Sequence, residues 1–228
     1  MKVVAILQAR LHSTRLPNKM LLPLAGAPLV QRVIERVQRA KMLDDIVLAV
    51  PAEDARIFAP IAKGRCQLFA YVGDEADLVG RYLACAWQFG AETIVRIPCD
   101  NPCIDPTYID AAVQEYLFRP YVFYSNTTTL VRGSRYNLHV DGVGAEVFSY
   151  SRLQWLDQKT QCLDPSYREH PHKYFNFELP IANIRMDVNT QEDYDKIAAL
   201  YDHYLANFSA KQAVNYFLEK EASYAQSV

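Results

Sequence analysis

A chain of 228 residues, half of them hydrophobic and 22% charged, has the composition of a folded globular protein rather than a disordered one. Its formal net charge of −2 excludes a protein built mainly to coat nucleic acid, so any cationic site is local. No apolar stretch approaches the roughly 20 residues that span a bilayer, so no membrane partner is expected either.

The chain opens with Lys2 and an apolar run, Val3 to Leu7, that ends at Gln8 without a small-residue cleavage site. It reads as a first β-strand, not a signal peptide. The loop that follows, "QARLHSTRLPNKML", places Arg10, Arg15 and Lys19 close together. Three cations so near repel one another unless an anion sits between them. Arginine forks, a lysine point charge and the hydroxyls of Ser13 and Thr14 suit a triphosphate better than a single carboxylate. The alternative is a solvated loop whose cations pair with surface carboxylates.

Pro28 then opens a helix with Leu29, Val30, Val33, Ile34 and Val37 as its apolar stripe and Glu35 and Arg39 spaced as an i,i+4 pair. A strand over 46–50, a helix near 54–63 and a strand over 67–72 follow. A longer helix from Asp77 carries Leu78, Tyr82, Cys85 and Phe89 on one face and stops at Gly90. Thr93 to Ile97 reads as a strand, and Asp105-Pro106 caps a helix with Ile109, Ala112, Val113 and Tyr116 inward. Strands apolar on both faces and separated by helices predict a mostly parallel sheet between helical layers. Ligands bind such sheets beyond the carboxyl ends of the strands, where both the cationic loop and Cys99-Asp100-Asn101-Pro102 lie.

The second half is less regular. Tyr121 to Asn126 is strand-like, and 127–180 is rich in aromatics and turn residues, read as an embellishment on a single domain spanning 1–228. The tyrosines of 116–136 fit packing or an interface. "RMDVNTQEDYDKI" gives a short strand and a helix with capping-box spacing at Thr190 and Asp193. A last amphipathic helix precedes a polar tail over 223–228. Five cysteines without a C-x-x-C pair fit a reducing compartment, with the cytoplasm expected. Cys99 and Cys103 read as core residues. His170 and His172 lack the further ligands of a metal site.

Glycine-based phosphate sites are absent: no G-x-x-x-x-G-K-[ST] occurs, and Gly142 and Gly144 in "DGVGAEV" lack a third glycine and a strand–turn–helix context. What the loop does carry is a resemblance. "ILQARLHSTRLPNKMLLPLAGAPLVQRVIERV" resembles the opening signature of the bacterial cytidylyltransferases that activate sugars, including the CMP-ketodeoxyoctonate and acylneuraminate synthetases. Ala9, Arg10, Ser13, Arg15, Leu16, Pro17, Lys19 and Leu21 match its A-R-x-x-S-x-R-L-P-x-K-x-L pattern in register. Gln8 is shared with the branch named for spore-coat polysaccharide biosynthesis. "GDEADLVGRY", "VRIPCDNPCIDP", "DGVGAEVFSYSRL" and "REHPHKYF" resemble later segments of that branch, in the same order.

The resemblance implies a single-domain, Rossmann-like three-layer nucleotidyltransferase of the glycosyltransferase-A-like kind, with an irregular acceptor and dimer segment. It implies transfer of CMP from CTP to a sugar, sugar acid or related acceptor with release of pyrophosphate, for surface polysaccharide, in a cytoplasmic homodimer. Gln8, Ala9, Arg10, Ser13, Arg15, Lys19, Arg81 and Asp100 are the implied nucleotide-binding residues, with Arg10, Arg15, Lys19 and Asp100 in catalysis. Arg81 is equally placed to pair with Asp77, one helical turn away. Glu146, Arg168, Glu169 and His170 are the acceptor candidates, with Arg168-Glu169 alternatively a surface pair. For a magnesium ion (Mg2+), Asp100 matches the first ligand. The second falls at Asn189, where the pattern has an aspartate; Asp187, two residues earlier on the same strand face, is the favoured ligand, with the Asn189 amide oxygen as the weaker alternative. Two rivals stay open: a nucleotidyltransferase using another triphosphate or a sugar phosphate, and a nucleotide-binding protein without turnover.

Overall fold

A computed structural model describes residues 1–118, 123–125, 140–159, 172–174 and 184–226. In chain order the elements are β1 (Val3–Gln8), β2 (Pro23–Leu24), β3 (Ala27–Pro28), α1 (Leu29–Val37), β4 (Asp45–Pro51), α2 (Ala55–Ala62), β5 (Gln67–Tyr71), α3 (Leu78–Phe89), β6 (Thr93–Pro98) and α4 (Pro106–Phe118). Then come β7 (Phe123–Ser125), β8 (Val140–Asp141), β9 (Glu146–Ser149), α5 (Tyr150–Lys159), β10 (His172–Tyr174), β11 (Ile184–Arg185), α6 (Gln191–Tyr204) and α7 (Ala210–Gln226). Seven strands form one sheet in the order β10-β7-β9-β6-β1-β4-β5. β6, β1, β4 and β5 run parallel, while β9 is antiparallel to both β6 and β7.

The alternation of β1 explains the layers. Val3, Ala5 and Leu7 face a core shared with α1, α2, α4, α6 and α7, whereas Val4 and Ile6 face Val79, Tyr82, Cys85 and Leu153 of α3 and α5. Both faces of the strand are buried, as a parallel sheet between helices requires. Cys99 and Cys103 lie in this core; burial pushes the Cys103 thiol up to about 12 and Cys99 well above its ordinary value, so neither is an available nucleophile.

Several expectations need correction. Glu35 does not pair with Arg39: α1 ends at Val37, and Glu35 instead accepts from Arg32 at 2.8 Å and Gln31 at 2.7 Å. Within the stretch after residue 127, the described residues include regular elements. β9 is inserted in the main sheet and α5 packs beside α3, but a four-residue strand is too short to show a period. Helix α7 runs to Gln226, through most of the expected tail. Asp105 does cap α4, its Oδ1 accepting from the Thr107 N–H at 2.9 Å, and Thr190 with Asp193 forms a capping box on α6. Among the described residues no helix is long and apolar enough to cross a membrane.

Candidate active site

β1 lies between β4 and β6, so the strand order reverses at its carboxyl end. That is where an open α/β sheet leaves a crevice. The loop after β1 is held by its apolar residues: Leu11, Leu16 and Met20 are buried, and the Leu11 N–H donates to the buried Asp54 carboxylate at 2.9 Å. Asn18 takes a left-handed conformation and its N–H donates to Leu11 O at 3.2 Å, closing the loop before a single turn of 3-10 helix that carries Lys19. With Leu11, Leu16 and Met20 inward, Arg10 and Arg15 are left exposed on the other side.

A cleft of about 480 Å³ results, lined by Gln8, Ala9, Arg10, Ser13, Thr14, Arg15, Lys19, Met20, Glu75, Ala76, Leu78, Arg81, Asp100 and Asn189. All eight residues expected at the nucleotide therefore share one wall-and-floor surface. Four cations face two carboxylates, so the cleft is electropositive although the chain is not.

The rim and the floor differ. At the rim, Arg10 Nη1 lies 3.3 Å from Glu75 Oε1, and His12 Nδ1 is 3.5 Å from the other Glu75 oxygen. Glu75 was not among the candidates; it is 65 residues from Arg10, and only the fold joins them. Arg81 is buried, with Nη2 donating to Glu75 O at 2.7 Å and Nε unpartnered. Burial pulls its pKa down, and nearby Arg10 adds to that. The expected pair with Asp77 does not form, because Asp77 caps α3 through the Gly80 N–H at 2.8 Å and accepts from the Tyr71 hydroxyl at 2.7 Å.

On the floor, buried Lys19 donates to Asp100 Oδ2 at 2.9 Å, Val188 O at 2.7 Å and Asn189 Oδ1 at 3.1 Å. Its ammonium has three protons and three acceptors. Asp100 and Asn189 thus converge on one cationic point although they are far apart in sequence. Asp187 does not line the cleft; its carboxylate is taken by Arg185 at 2.7 and 3.1 Å and by the Asn189 amide N–H group. Among the described residues no group of three or more His, Cys, Asp or Glu side chains forms a cation cage. One carboxylate and one amide oxygen are hard donors of the kind magnesium takes, too few to cage it by themselves.

Behind the cleft, Gln8 Oε1 accepts from the Tyr82 hydroxyl at 2.9 Å and Arg96 Nε at 3.3 Å, and Arg96 Nη1 is 2.6 Å from Glu146 Oε2. Burial opposes charge on Arg96, but the Glu146 carboxylate outweighs it and holds the guanidinium's pKa above its usual value. Glu146, an acceptor candidate, is therefore buried in the sheet opposite Arg96 and does not line this cleft. Arg168, Glu169 and His170 lie outside the described residues.

A basic crevice at the switch point of a three-layer α/β sheet is where such a fold takes up an anionic ligand. A family model described as cytidylyltransferase matches residues 4–223, and the chain belongs to that family; it is a nucleotidyltransferase. It is 30% identical to the uncharacterized protein MJ1063 of Methanocaldococcus jannaschii, over 96% of this chain and 91% of that one. It is 28% identical to the spore coat polysaccharide biosynthesis protein SpsF of Bacillus subtilis, covering 87% and 86%. A cytidylyltransferase structure from Leptospira borgpetersenii serovar Hardjo-bovis superposes with a TM-score of 0.82 at 26% identity, covering 97% of this chain and 96% of that one.

Proposed function

We propose that this enzyme transfers CMP from CTP to a sugar, sugar acid or related hydroxyl-bearing acceptor, with Mg2+, in the assembly of surface polysaccharide. The acceptor oxygen forms a bond to the α-phosphorus, the bond from that phosphorus to the bridging oxygen breaks, pyrophosphate leaves, and the acceptor proton passes to solvent. The observation that carries this reading is the convergence of Arg10, Ser13, Arg15, Arg81 and Asp100 on one cleft.

Arg10, Arg15 and Arg81 are suited to the phosphate oxygens and to the charge that develops on departing pyrophosphate. A triphosphate competes with Glu75 for Arg10. Lys19 keeps Asp100 and Asn189 facing one another, and these two side chains would hold the metal. When bound, the ion neutralises phosphate charge. The free cysteines among the described residues, three of the four buried, support a cytoplasmic setting, and self-association to a homodimer belongs to the same reading.

One observation favours a second reading, nucleotide binding without turnover: among the described residues the floor holds a single carboxylate, already paired with Lys19. The two are separated by melting the protein with each nucleoside triphosphate, with and without Mg2+, followed by pyrophosphate-release assays over a panel of acceptors. CTP at 100 times its dissociation constant is expected to add about 2.7 kcal/mol. A CTP-specific shift with no pyrophosphate from any acceptor supports the second reading; no shift with any nucleotide overturns both.

A further inference from the structure

The segment from Arg185 to Asn189 is stitched to the floor of the cleft by its backbone. The Val188 N–H donates to Asp100 O at 2.8 Å, and Val188 O accepts from Lys19 at 2.7 Å. Its side chains add a second arrangement. Arg185 grips Asp187 with Nε and Nη2, which leaves the carboxylate fixed beside Asn189, and the Asn189 amide nitrogen donates to Asp187 Oδ2. The other end of that amide, Oδ1, accepts from Lys19 at 3.1 Å.

Chemistry permits this amide one orientation. Lysine has protons and no acceptor, and a carboxylate has lone pairs and no proton. Flipping the amide would set its N–H group against the ammonium and its oxygen against the carboxylate, a repulsion at both ends. Asp187 is largely withdrawn from solvent, its side chain 13% exposed, so the preference is not washed out by water. Gly142 allows the approach: it has φ +85°, and a Cβ there would lie 2.8 Å from the Asp187 backbone nitrogen.

We propose that Asp187 is a positioning residue, not a ligand, and that it holds the Asn189 amide with its oxygen turned toward Lys19, where it would be available, with Asp100, to a bound cation. A carboxylate at 189 presents oxygen whichever way it turns. An amide presents oxygen in one orientation only, so a neutral ligand needs an outside group to set it. The orientation stands on the geometry alone, while its consequence for a metal rests on the proposed function.

Two measurements test this. In the free protein, the side-chain NH₂ signals of Asn189 in a nitrogen–proton NMR spectrum are expected to shift and exchange faster in Asp187→Ala; unchanged signals overturn the assignment. For the consequence, Mn2+ serves as the probe, its affinity in the presence of CTP read by electron paramagnetic resonance. Asp187→Ala is expected to weaken Mn2+ about tenfold, and Asp187→Asn, whose oxygen can accept the same hydrogen bond, to recover most of the loss. In an Asn189→Asp background the Asp187→Ala loss is expected to vanish. An equal loss in both backgrounds overturns the assignment, since a ligand or a merely structural residue is needed whatever occupies 189. If the unaltered protein takes up no Mn2+ with CTP, the proposed function falls, and the amide spectrum alone decides the hold of Asp187 on Asn189.

Discussion

The rim and the floor of the cleft carry the same kinds of side chain in opposite conditions. Arg10 and Arg15 stand on an exposed loop, and the contact of Arg10 to Glu75 is long, at 3.3 Å, with the arginine side chain 54% exposed. Lys19 on the floor is buried and every one of its protons is placed on a protein oxygen. Exposed ion pairs are weak and are screened by salt, so the rim can exchange partners when an anion arrives. A buried ammonium with three acceptors resists exchange, because removing one acceptor leaves charge unsatisfied away from water. The rim is therefore free to change partners, and the floor keeps its shape.

The largest effect is expected where that distinction is broken from below. Asp100→Asn keeps the size of the side chain but removes the negative charge opposite Lys19. Pyrophosphate release is expected to fall on the order of a thousandfold, and the protein to lose about 1–3 kcal/mol in urea unfolding because Lys19 is left undercompensated. Turnover within tenfold of the starting protein would detach Asp100 from the chemistry.

A change at the rim should do the converse. Arg15→Ala is expected to raise the KM for CTP about tenfold while unfolding stability stays within about 0.5 kcal/mol. The companion change, Glu75→Gln, frees Arg10 and removes a negative charge from the anion's path, so KM for CTP is expected to fall about threefold, with the difference shrinking in high salt. Steady-state kinetics at two ionic strengths check both. Loss of stability in Arg15→Ala would show that the rim is structural after all.

Much of this was legible in the sequence because it is local. The apolar run of β1, the cation spacing of its loop and the capping box of α6 are each contained in a few residues, and all three are found in the structure. What escaped depends on contacts between distant segments. Glu75 meets Arg10 only because the segment after β5 folds over the loop after β1. Glu146 is exposed or buried according to whether its four-residue strand pairs with β6, which no periodicity within it reveals. Gly142 and Gly144 do not form a phosphate loop; Gly142 instead makes room for the backbone at Asp187. That Asn189 and not Asp187 lines the cleft depends on Arg185 and Lys19, residues that spacing on a strand does not take into account.

The smallest expected effect lies where the floor joins α6. Asp193 Oδ2 accepts from the N–H groups of Asn189 at 3.0 Å and Thr190 at 2.8 Å, and from the Thr190 hydroxyl at 2.9 Å. Burial works against charge on Asp193, but these hydrogen bonds outweigh it and hold the carboxyl below the ordinary aspartate range. A carboxyl whose folded pKa is depressed contributes stability that is complete above its unfolded pKa and is lost as pH falls through the folded value. Thr190→Ala removes the hydroxyl from this cap and is expected to cost about 1 kcal/mol near neutral pH, a fall in Tm of about 2–4 °C. Because protonated Asp193 is a poorer acceptor for that hydroxyl, the gap in Tm between the two proteins should hold from pH 7 to about pH 4 and narrow below it. A gap independent of pH down to full protonation would mean that the hydroxyl acts through the Asp193 N–H alone, not through its hydrogen bond to the carboxylate.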